Sequence, residues 1–334
     1  MLPRYARVVH TEPMTADGQG LRFDGRVAAV TGARRGMGQS HAAELARRGA
    51  KVVVNDLAGA TETVAMITAA GGEAVENRSD ITTAAGTDEI VAAALDRWGR
   101  LDIVVNNAAL NSGTFPDPEL AAKTIAVHLM GTVNTTRSVM PVFREQQYGR
   151  IVNTGSGSVL GIPYTGLYAA GKGGVLAYTR VLANELKGEL REHPDQDIKV
   201  NLTMPAAQTP VMPRVPDERF QHLLDTTFSA RNTSALVLVL AHEDCPVSGE
   251  AIQTGGGRVS RFILATSEGW QAPDDPPTAE DIIAHWDDVM AGRDLREPVG
   301  SMSDLLGRRG EYPYNVAELV AWSRTGNDPA KQGR

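Results

Sequence analysis

The chain has 334 residues, and its 33 lysine and arginine side chains against 40 aspartates and glutamates give a formal net charge of -7. This length allows one large domain or two of ordinary size, whereas the negative charge argues against nucleic acid or an anionic membrane as a partner, because both attract clustered positive charge. A single cysteine, Cys245, excludes a disulfide framework and a cysteine-rich metal site, so we expect no metal and a reducing compartment, the cytoplasm.

Short apolar runs alternate with longer helical patterns from Arg26 to about Thr254. Runs such as Val52-Val53-Val54 show no polar alternation, which is typical of parallel strands that helices cover on both faces. We therefore predict a doubly wound α/β domain with a mostly parallel, seven-stranded sheet and helices on both faces. The predicted strands are Val27–Thr31, Lys51–Asn55, Ala74–Asn77, Leu101–Asn106, Arg150–Asn153, Lys199–Leu202 and Glu250–Thr254.

The predicted domain covers residues 25–265 and includes a loop over 205–230 that we expect to cover the site. We predict that residues 1–24 form an N-terminal arm, and they contain no apolar run of signal-peptide length. No uncharged apolar stretch is long enough to cross a bilayer, so we expect no membrane partner. Residues 266–334 are rich in Pro, Asp and Gly. We predict that they form a partly helical C-terminal extension with an amphipathic helix over Ala279–Ala291.

A glycine-rich turn follows the first predicted strand directly and opens a helix; its sequence is Thr31-Gly32-Ala33-Arg34-Arg35-Gly36-Met37-Gly38. Its glycines let the backbone approach a pyrophosphate closely, and the helix N-terminus points its N–H groups at the anion. Asp56 ends the next strand eighteen positions past Gly38, where a carboxylate can accept hydrogen bonds from the ribose hydroxyls of an adenosine. The turn and the carboxylate in one βαβ unit predict a dinucleotide site.

Tyr168 and Lys172 stand four residues apart and share one face if their segment is helical. A free phenol has a pKa of about 10, and an adjacent cation lowers it by favouring the phenolate. The pair can therefore move a proton to or from a substrate oxygen. The same spacing also occurs by chance in many helices, so the pair alone leaves an ordinary helix surface as an alternative.

Together these features resemble the short-chain dehydrogenases/reductases, and the resemblance extends from about Arg26 to about Gly257. Within the family, the chain looks most similar to the dehydrogenase unit of the peroxisomal multifunctional β-oxidation enzyme and its bacterial relatives. The resemblance implies a Rossmann-type fold and a nicotinamide cofactor. The matching segments, in the family's order, are Thr31–Gly38, Asp80-Ile81, Asn106-Asn107-Ala108-Ala109, Ser156, Tyr168 with Lys172, and Pro205.

Carried over residue by residue, the resemblance implies that Tyr168 is the general acid/base, that Ser156 orients the substrate oxygen, and that Lys172 lowers the tyrosine pKa and holds the nicotinamide ribose. A serine in such a loop is usually a turn former, so Ser158 is kept as the alternative to Ser156. The interval from Ser156 to Tyr168 is one residue shorter than the family's commonest spacing. His128 stands where most members carry an Asn that holds a proton-relay water, so its ring is either a relay or a packing element. The positions implied to contact the cofactor are Gly32, Arg35, Gly36, Met37, Gly38, Asp56, Asp80, Ile81, Asn107, Ala108, Tyr168, Lys172 and Pro205.

The identity of the cofactor carries a conflict between two residues. Arg35 sits where NADP-using relatives often keep a basic residue for the 2′-phosphate, whereas Asp56 repels that phosphate. We give Asp56 the greater weight and expect NAD rather than NADP. Besides His128, two further positions depart from the family pattern, because Ala109 and Ala206 replace the usual glycines.

The sequence therefore predicts an oxidoreductase that transfers a hydride between NAD(H) and a secondary alcohol or ketone. We expect an apolar small-molecule substrate, such as a hydroxyacyl thioester, a steroid or a terpenoid alcohol. Two alternatives stay open: a dehydratase or epimerase that retains its cofactor, and a non-catalytic dinucleotide sensor. The resemblance also implies a homodimer or homotetramer built on the helices around 121–145 and 164–188.

Overall fold

The structure, a computed structural model, describes the following residues: 20–110, 112, 115, 117–190, 192–207, 216–273, 277–295 and 297. The chain divides into two compact units, with a boundary between Phe262 and Ile263. The larger unit contains all the residues that the sequence predicts for the site. Within the described part of the chain, none of the helices combines the length and the apolar character that a membrane crossing requires.

One sheet of eight strands forms the centre of the larger unit. The first seven strands are parallel, and they run in the order β3-β2-β1-β4-β5-β6-β7, followed by β8, which is antiparallel to β7. This confirms the predicted doubly wound α/β fold. The strands are β1 (Val27–Thr31), β2 (Lys51–Asn55), β3 (Glu73–Asn77), β4 (Ile103–Asn106), β5 (Tyr148–Thr154), β6 (Asp197–Pro205), β7 (Ala251–Gly255) and β8 (Arg258–Phe262).

The strand β8 corrects the predicted count of seven strands to eight. Gly256 and Gly257 have φ values of 60° and 76°, so glycine lets the chain reverse tightly and pair with β7. The strand lies at the edge of the sheet, and its arginines, Arg258 and Arg261, are exposed. An edge strand needs no continuous apolar run, which is why the pattern that identified the buried strands did not identify this one.

The helices pack on both faces of the sheet, as predicted. A π-helical turn (Ala126–Met130) joins α4 to α5, and a 3-10 turn (Gly157–Leu160) precedes α6. The helices of the larger unit are α1 (Gly36–Arg47), α2 (Thr61–Ala69), α3 (Ala84–Trp98), α4 (Pro118–Ile125), α5 (Gly131–Gln146), α6 (Gly166–Glu189), α7 (Glu218–Thr227) and α8 (Ala230–Ala241).

Two hydrophobic layers cover the sheet, one on each face. In β2, Val52 and Val54 belong to the layer that includes helices α1 and α8, whereas Val53 belongs to the layer that includes α3, α5 and α6. Consecutive residues of a strand point to opposite faces, so a strand covered on both sides must be apolar throughout. This burial explains the unbroken valine run.

The order of the strands creates a crevice at one edge of the sheet. β1 pairs with both β2 and β4, so the connections on its two sides run in opposite directions. Ligands of doubly wound sheets bind outside the carboxyl ends of the strands at such a switch point. The predicted site residues lie on segments that follow these carboxyl ends.

The smaller unit contains two short helices within its described residues, α9 (Ala279–Ala284) and α10 (Trp286–Met290). Thr278 and Asp281 form a reciprocal capping box that starts α9, and His285 separates the two helices while its ring stacks on Trp270 at 4.2 Å. The single helix predicted over Ala279–Ala291 is therefore two helices interrupted at His285.

Candidate active site

The N-terminus of α1 directly follows the glycine-rich turn and has no side-chain cap. Arg35 occupies the N-cap position with extended backbone, and its side chain makes no capping hydrogen bond. The helices α3 and α4, by contrast, are capped by Thr83 and Asp117. The N–H groups at the start of α1 and the positive end of its dipole are thus suited to an anion such as a pyrophosphate.

The glycine-rich turn is fixed to the segment that follows β4. The Asn107 side-chain amide donates to the carbonyls of Thr31 at 3.0 Å and Gly32 at 3.2 Å, and the Thr31 hydroxyl accepts from the backbone N–H groups of Asn107 and Ala108, both at 3.1 Å. Gly32 has φ 63°, and a Cβ there would lie 2.7 Å from the Ala108 Cα. Glycine is therefore required, and Asn107 and Ala108 support the turn from behind.

Asp56 directly follows β2 and lies beside the turn. Its carboxylate accepts hydrogen bonds from the backbone N–H of Arg34 at 3.2 Å and of Ala58 at 3.0 Å. These bonds hold the carboxylate at the crevice, where it can face a ribose. The side chains of Arg34 and Arg35 are both exposed.

The remaining predicted cofactor contacts lie on neighbouring segments. Asp80 follows β3 and accepts from the Thr82 N–H and hydroxyl at 2.9 and 2.8 Å, which closes a tight turn. Ile81 is buried, and a Cβ on Gly131 would lie 2.6 Å from its side chain. Met37, in the first turn of α1, and Pro205, at the end of β6, are both half-buried.

Tyr168 and Ser156 are brought together above the end of β5. Ser156 caps the 3-10 turn by accepting the Ser158 N–H at 3.1 Å, and its side chain lies beside the Tyr168 hydroxyl. Burial raises the pKa of Tyr168 above its ordinary value of 10.0, and the nearby Ser156 side chain opposes this rise. The direction is opposite to the lowering expected from an adjacent ammonium, because desolvation is the larger effect.

Lys172 lies one turn after Tyr168 on α6 and is buried, with 2% of its surface exposed. Its Nζ donates to the Thr154 carbonyl at 2.7 Å and lies 6.0 Å from the centre of the Tyr168 ring. Burial lowers the pKa of Lys172 from 10.5 to about 7. The side chain therefore exchanges its proton near neutral pH.

His128 lies on the π-helical turn rather than on an ordinary helix, and its ring packs edge-to-face on Tyr168 at 5.0 Å. Its Nε2 lies 2.7 Å from the Leu110 carbonyl oxygen and 3.1 Å from the Leu110 backbone nitrogen, whereas its Nδ1 is buried without a hydrogen-bond partner. Burial, together with the charge of Lys172, lowers the pKa of His128 to about 3. The imidazole is neutral at physiological pH.

A family model described as short chain dehydrogenase matches residues 26–218, more than half of the chain. The chain belongs to the short-chain dehydrogenase family. The fold agrees with this assignment, because a short chain dehydrogenase from Mycobacterium avium superimposes with a TM-score of 0.69 at 31% identity, covering 83% of this chain and 97% of that one.

Two relatives show the range of enzymes that this dehydrogenase is similar to. A peroxisomal hydratase-dehydrogenase-epimerase of Neurospora crassa is 35% identical over 82% of the chain, and the match covers 30% of that relative's length. A 3-oxoacyl-acyl-carrier-protein reductase of Synechocystis is 36% identical over 48% of the chain and 68% of the relative. The chain thus spans about a third of the peroxisomal relative. The predicted similarity to the dehydrogenase unit of such enzymes is confirmed.

Short-chain dehydrogenases bind a nicotinamide dinucleotide, and the polar groups of this dehydrogenase fit one. In the part of the chain that the structure describes, eight buried side-chain N or O atoms lack a hydrogen-bond partner. Buried polar groups are normally paired, so unpaired ones indicate where a polar ligand or water belongs. Six of the eight lie on the segments that follow β4 and β5, in the last residues of β5 and β6, or on the π-helical turn: Asn107 Oδ1, Ser112 Oγ, His128 Nδ1, Thr154 Oγ1, Ser158 Oγ and Thr203 Oγ1.

Sequence reasoning missed three groups of this dehydrogenase site: the Thr31 hydroxyl, the Thr154 carbonyl and the Ser112 hydroxyl. Thr31 could have been found from its place at the last position of the first strand. A backbone carbonyl such as that of Thr154 carries no residue-type signal, and Ser112 stands in a loop without a recognisable pattern. Part of the predicted substrate loop, residues 208–215, lies outside the described residues.

Proposed function

We propose that this protein is an NAD(H)-dependent oxidoreductase that interconverts a secondary alcohol and its ketone. The observation that carries the proposal is the placement of Ser156 beside the Tyr168 hydroxyl, with Lys172 buried one turn further along α6. The uncapped N-terminus of α1 and the Asp56 carboxylate support a dinucleotide site at the same edge of the sheet.

Tyr168 moves the proton in this proposal. Its phenol donates a proton to a ketone oxygen in the reductive direction, and its phenolate accepts the hydroxyl proton in the oxidative direction. A bound nicotinamide supplies the hydride chemistry. Ser156 donates to the same substrate oxygen and orients it. Because burial keeps Tyr168 protonated at neutral pH, reduction is favoured there and oxidation accelerates as the pH rises.

Lys172 and His128 act around the tyrosine in supporting roles. The Lys172 ammonium would hold the nicotinamide ribose and stabilise the phenolate when it forms. His128 is neutral, so it cannot carry a proton as imidazolium; its buried and unpaired Nδ1 is suited to a hydrogen bond with a water that links Lys172 to solvent.

NAD is the proposed cofactor, and Asp56 is the proposed reason. Two backbone N–H groups hold its carboxylate at the end of β2, so it has little freedom to withdraw from an adenosine ribose. A 2′-hydroxyl can donate to this carboxylate, whereas a 2′-phosphate meets it as a like charge. The exposed Arg35 can turn to solvent and does not compensate.

A hydroxyacyl thioester is the proposed substrate. The names of the similar relatives, a hydratase-dehydrogenase-epimerase and an acyl-carrier-protein reductase, support this class. Large apolar side chains are exposed on the segments that follow β4 and β5, namely Phe115, Leu160 and Ile162. These side chains offer an apolar surface for an acyl chain beside the catalytic hydroxyls.

The test is a substrate panel followed by NAD⁺ reduction at 340 nm. The panel contains 3-hydroxyacyl-CoA thioesters of several chain lengths, hydroxysteroids and terpenoid alcohols. We expect net NADH formation with a thioester. Preference for a steroid or terpenoid alcohol would contradict the thioester assignment while leaving the dehydrogenase proposal intact.

The same panel distinguishes the alternative functions. A dehydratase or epimerase that recycles its cofactor would convert substrate without net NADH formation. A dinucleotide sensor would bind NADH and turn over no substrate on the panel. The placement of Ser156 beside Tyr168 favours a catalyst over a sensor, because binding alone needs no acid/base group.

We also propose that the protein is a homodimer or homotetramer built on α5 and α6. Met130 on the π-helical turn and Val181 on α6 are large apolar side chains that stand exposed, which supports burial against another copy. Light scattering of the purified protein tests this, and a monomer at micromolar concentration would contradict it.

A further inference from the structure

Three buried side chains form a hydrogen-bonded chain from the middle of the sheet to the catalytic helix; we call Asn106, Asn153 and Thr179 the amide–threonine network. The Asn106 amide on β4 donates to Asn153 Oδ1 at 2.9 Å, and the Asn153 amide on β5 donates to the Thr179 hydroxyl on α6, also at 2.9 Å. The Thr179 hydroxyl donates to the Val175 carbonyl at 2.8 Å. The exposed fractions of the three side chains are 5%, 0% and 1%, so water does not compete for these bonds.

The strand pairing and the spacing of residues along α6 determine which side chains this network joins. Asn106 and Asn153 are direct partners across the parallel β4–β5 pair. Thr179 stands seven residues after Lys172 and eleven after Tyr168, which is about two and three turns at about 3.6 residues per turn. Tyr168, Lys172 and Thr179 therefore lie on one face of α6.

The apolar contacts of α6 do not fix its axial position by themselves. Leu182, Ala183 and Leu186 pack into the layer that covers this face of the sheet, but apolar burial has no preferred direction. Buried, fully paired hydrogen bonds do have direction, and they specify a unique arrangement. The amide–threonine network thus sets how far along the sheet α6 lies.

Lys172 forms a hydrogen bond with β5 one residue after Asn153, which belongs to the network. Thr154 follows Asn153 on β5, and its carbonyl accepts the Lys172 ammonium at 2.7 Å. We propose that the amide–threonine network positions the Lys172 ammonium beside Tyr168 and thereby sets the pH at which this pair exchanges protons. The inference rests on the proposed function, since it concerns the acid/base pair of that reaction.

The electrostatic surroundings of Lys172 make this positioning measurable. Within the described residues, the titratable groups that face it are Tyr168 on its own helix and His128 on the π-helical turn. Burial keeps the pKa of Lys172 at about 7. If α6 shifts, the ammonium regains water and its pKa moves back toward 10.5.

The experiment measures this pKa directly in the cofactor-free protein. The chain has six lysines, so lysine labelled with ¹³C at Cε gives few NMR signals, and the loss of one in Lys172→Met assigns it. In Thr179→Val, which keeps the shape and removes the hydroxyl, we expect the Lys172 pKa to rise by about one unit or more. Thr179→Ser, which retains the hydroxyl, should restore it. Thr179→Ala provides a second variant without the added methyl if Thr179→Val does not fold.

The matched control is Thr135→Val on α5. Thr135 is also a buried helical threonine whose hydroxyl donates to a carbonyl four residues back, that of Gly131 at 2.7 Å. Thr135 lies outside the network, so removal of its hydroxyl should lower the stability of the fold without changing the pKa of Lys172. An unchanged Lys172 pKa in Thr179→Val, or equal shifts in Thr179→Val and Thr135→Val, would overturn the proposal.

Kinetics separates failure of this inference from failure of the proposed function. With the best panel substrate, Thr179→Val should displace the pH dependence of kcat in the same direction as the Lys172 pKa, whereas Thr135→Val should leave it in place. A wild type that turns over nothing would refute the function, yet the NMR shift could still be observed. A wild type that turns over normally, with both valine variants alike, would refute the network's positioning role alone.

Discussion

Lys172 combines the position that we propose for catalysis with an energetic cost. Its pKa is lowered to about 7 in the folded protein and is ordinarily 10.5. Below pH 7 the folded state holds a buried charge that the unfolded chain keeps in water. Between pH 7 and 10.5 the folded protein gives up the proton while the unfolded chain retains it. The stability penalty is therefore present in full below pH 7 and is relieved as the pH rises from 7 toward 10.5.

Replacing this cation by a neutral side chain should stabilise the protein, most strongly at low pH. For Lys172→Met we expect the gain in unfolding free energy to be larger at pH 6 than at pH 9 by roughly 2 kcal/mol, which corresponds to several degrees in Tm. Thermal melts at the two pH values measure this. Lys123→Met, which removes an exposed lysine on α4, is the control and should show no such difference. Equal gains for Lys172→Met at both pH values would contradict the account.

Asp56 is expected to decide between the two dinucleotides. Wild type should show a kcat/KM for NAD that exceeds that for NADP by on the order of a hundredfold, because a fixed carboxylate repels the 2′-phosphate by a few kcal/mol. Asp56→Ser keeps a hydroxyl for the ribose and removes the charge, so the ratio should approach one. A wild-type preference for NADP would show that Arg35 governs this pocket instead.

At the scale of whole elements, the start of α1 shows how a helix is adapted to a ligand. Its N–H groups lack a capping side chain, and its first turn carries no acidic residue. The backbone around it is packed so closely that a Cβ on Gly38 would meet the Gly32 carbonyl oxygen and the Asn107 amide. The Gly32 carbonyl and the Asn107 amide are hydrogen-bonded to each other, so neither group can move away from a new Cβ without displacing the turn.

Gly38→Ala should therefore displace the turn and weaken dinucleotide binding. We expect the Kd for NADH to rise tenfold or more, equivalent to about 1.4 kcal/mol, as measured by quenching of protein fluorescence or by calorimetry. Gly188→Ala on α6 is the matched control, because a Cβ there meets nothing within 4 Å. That change should leave NADH affinity unaltered. Equal affinities of the Gly38→Ala variant and wild type would refute the role of the turn.

Periodicity predicted some elements well and could not predict others. A helical spacing placed Tyr168 and Lys172 on one face, and continuous apolar runs located the parallel strands because both their faces are buried. The π-helical turn that carries His128 has no sequence period of its own. The choice between Ser156 and Ser158 depended on a loop, and the structure brings Ser156 to the Tyr168 hydroxyl while Ser158 Oγ stays without a partner.

At the scale of the whole molecule, order along the chain predicted the architecture. Alternating strands and helices specify a parallel sheet with covered faces, and connectivity then brings the Gly-rich turn, Asp56 and Tyr168 to one edge. The protonation of Tyr168 was not predictable, because burial depends on all the packed elements together. The cytoplasmic location stays a prediction, and one similar relative is named as peroxisomal.

The central claim is that Tyr168 exchanges the proton of the reacting oxygen. The most direct measurement compares wild type with Tyr168→Phe in single-turnover NAD⁺ reduction at 340 nm, using the best hydroxyacyl thioester, together with NADH affinity. The rate of the variant should fall by a factor of about 10² to 10⁴. The variant should stay folded, and its Kd for NADH should stay within about twofold of wild type. A rate near that of wild type in the Phe variant would contradict the account.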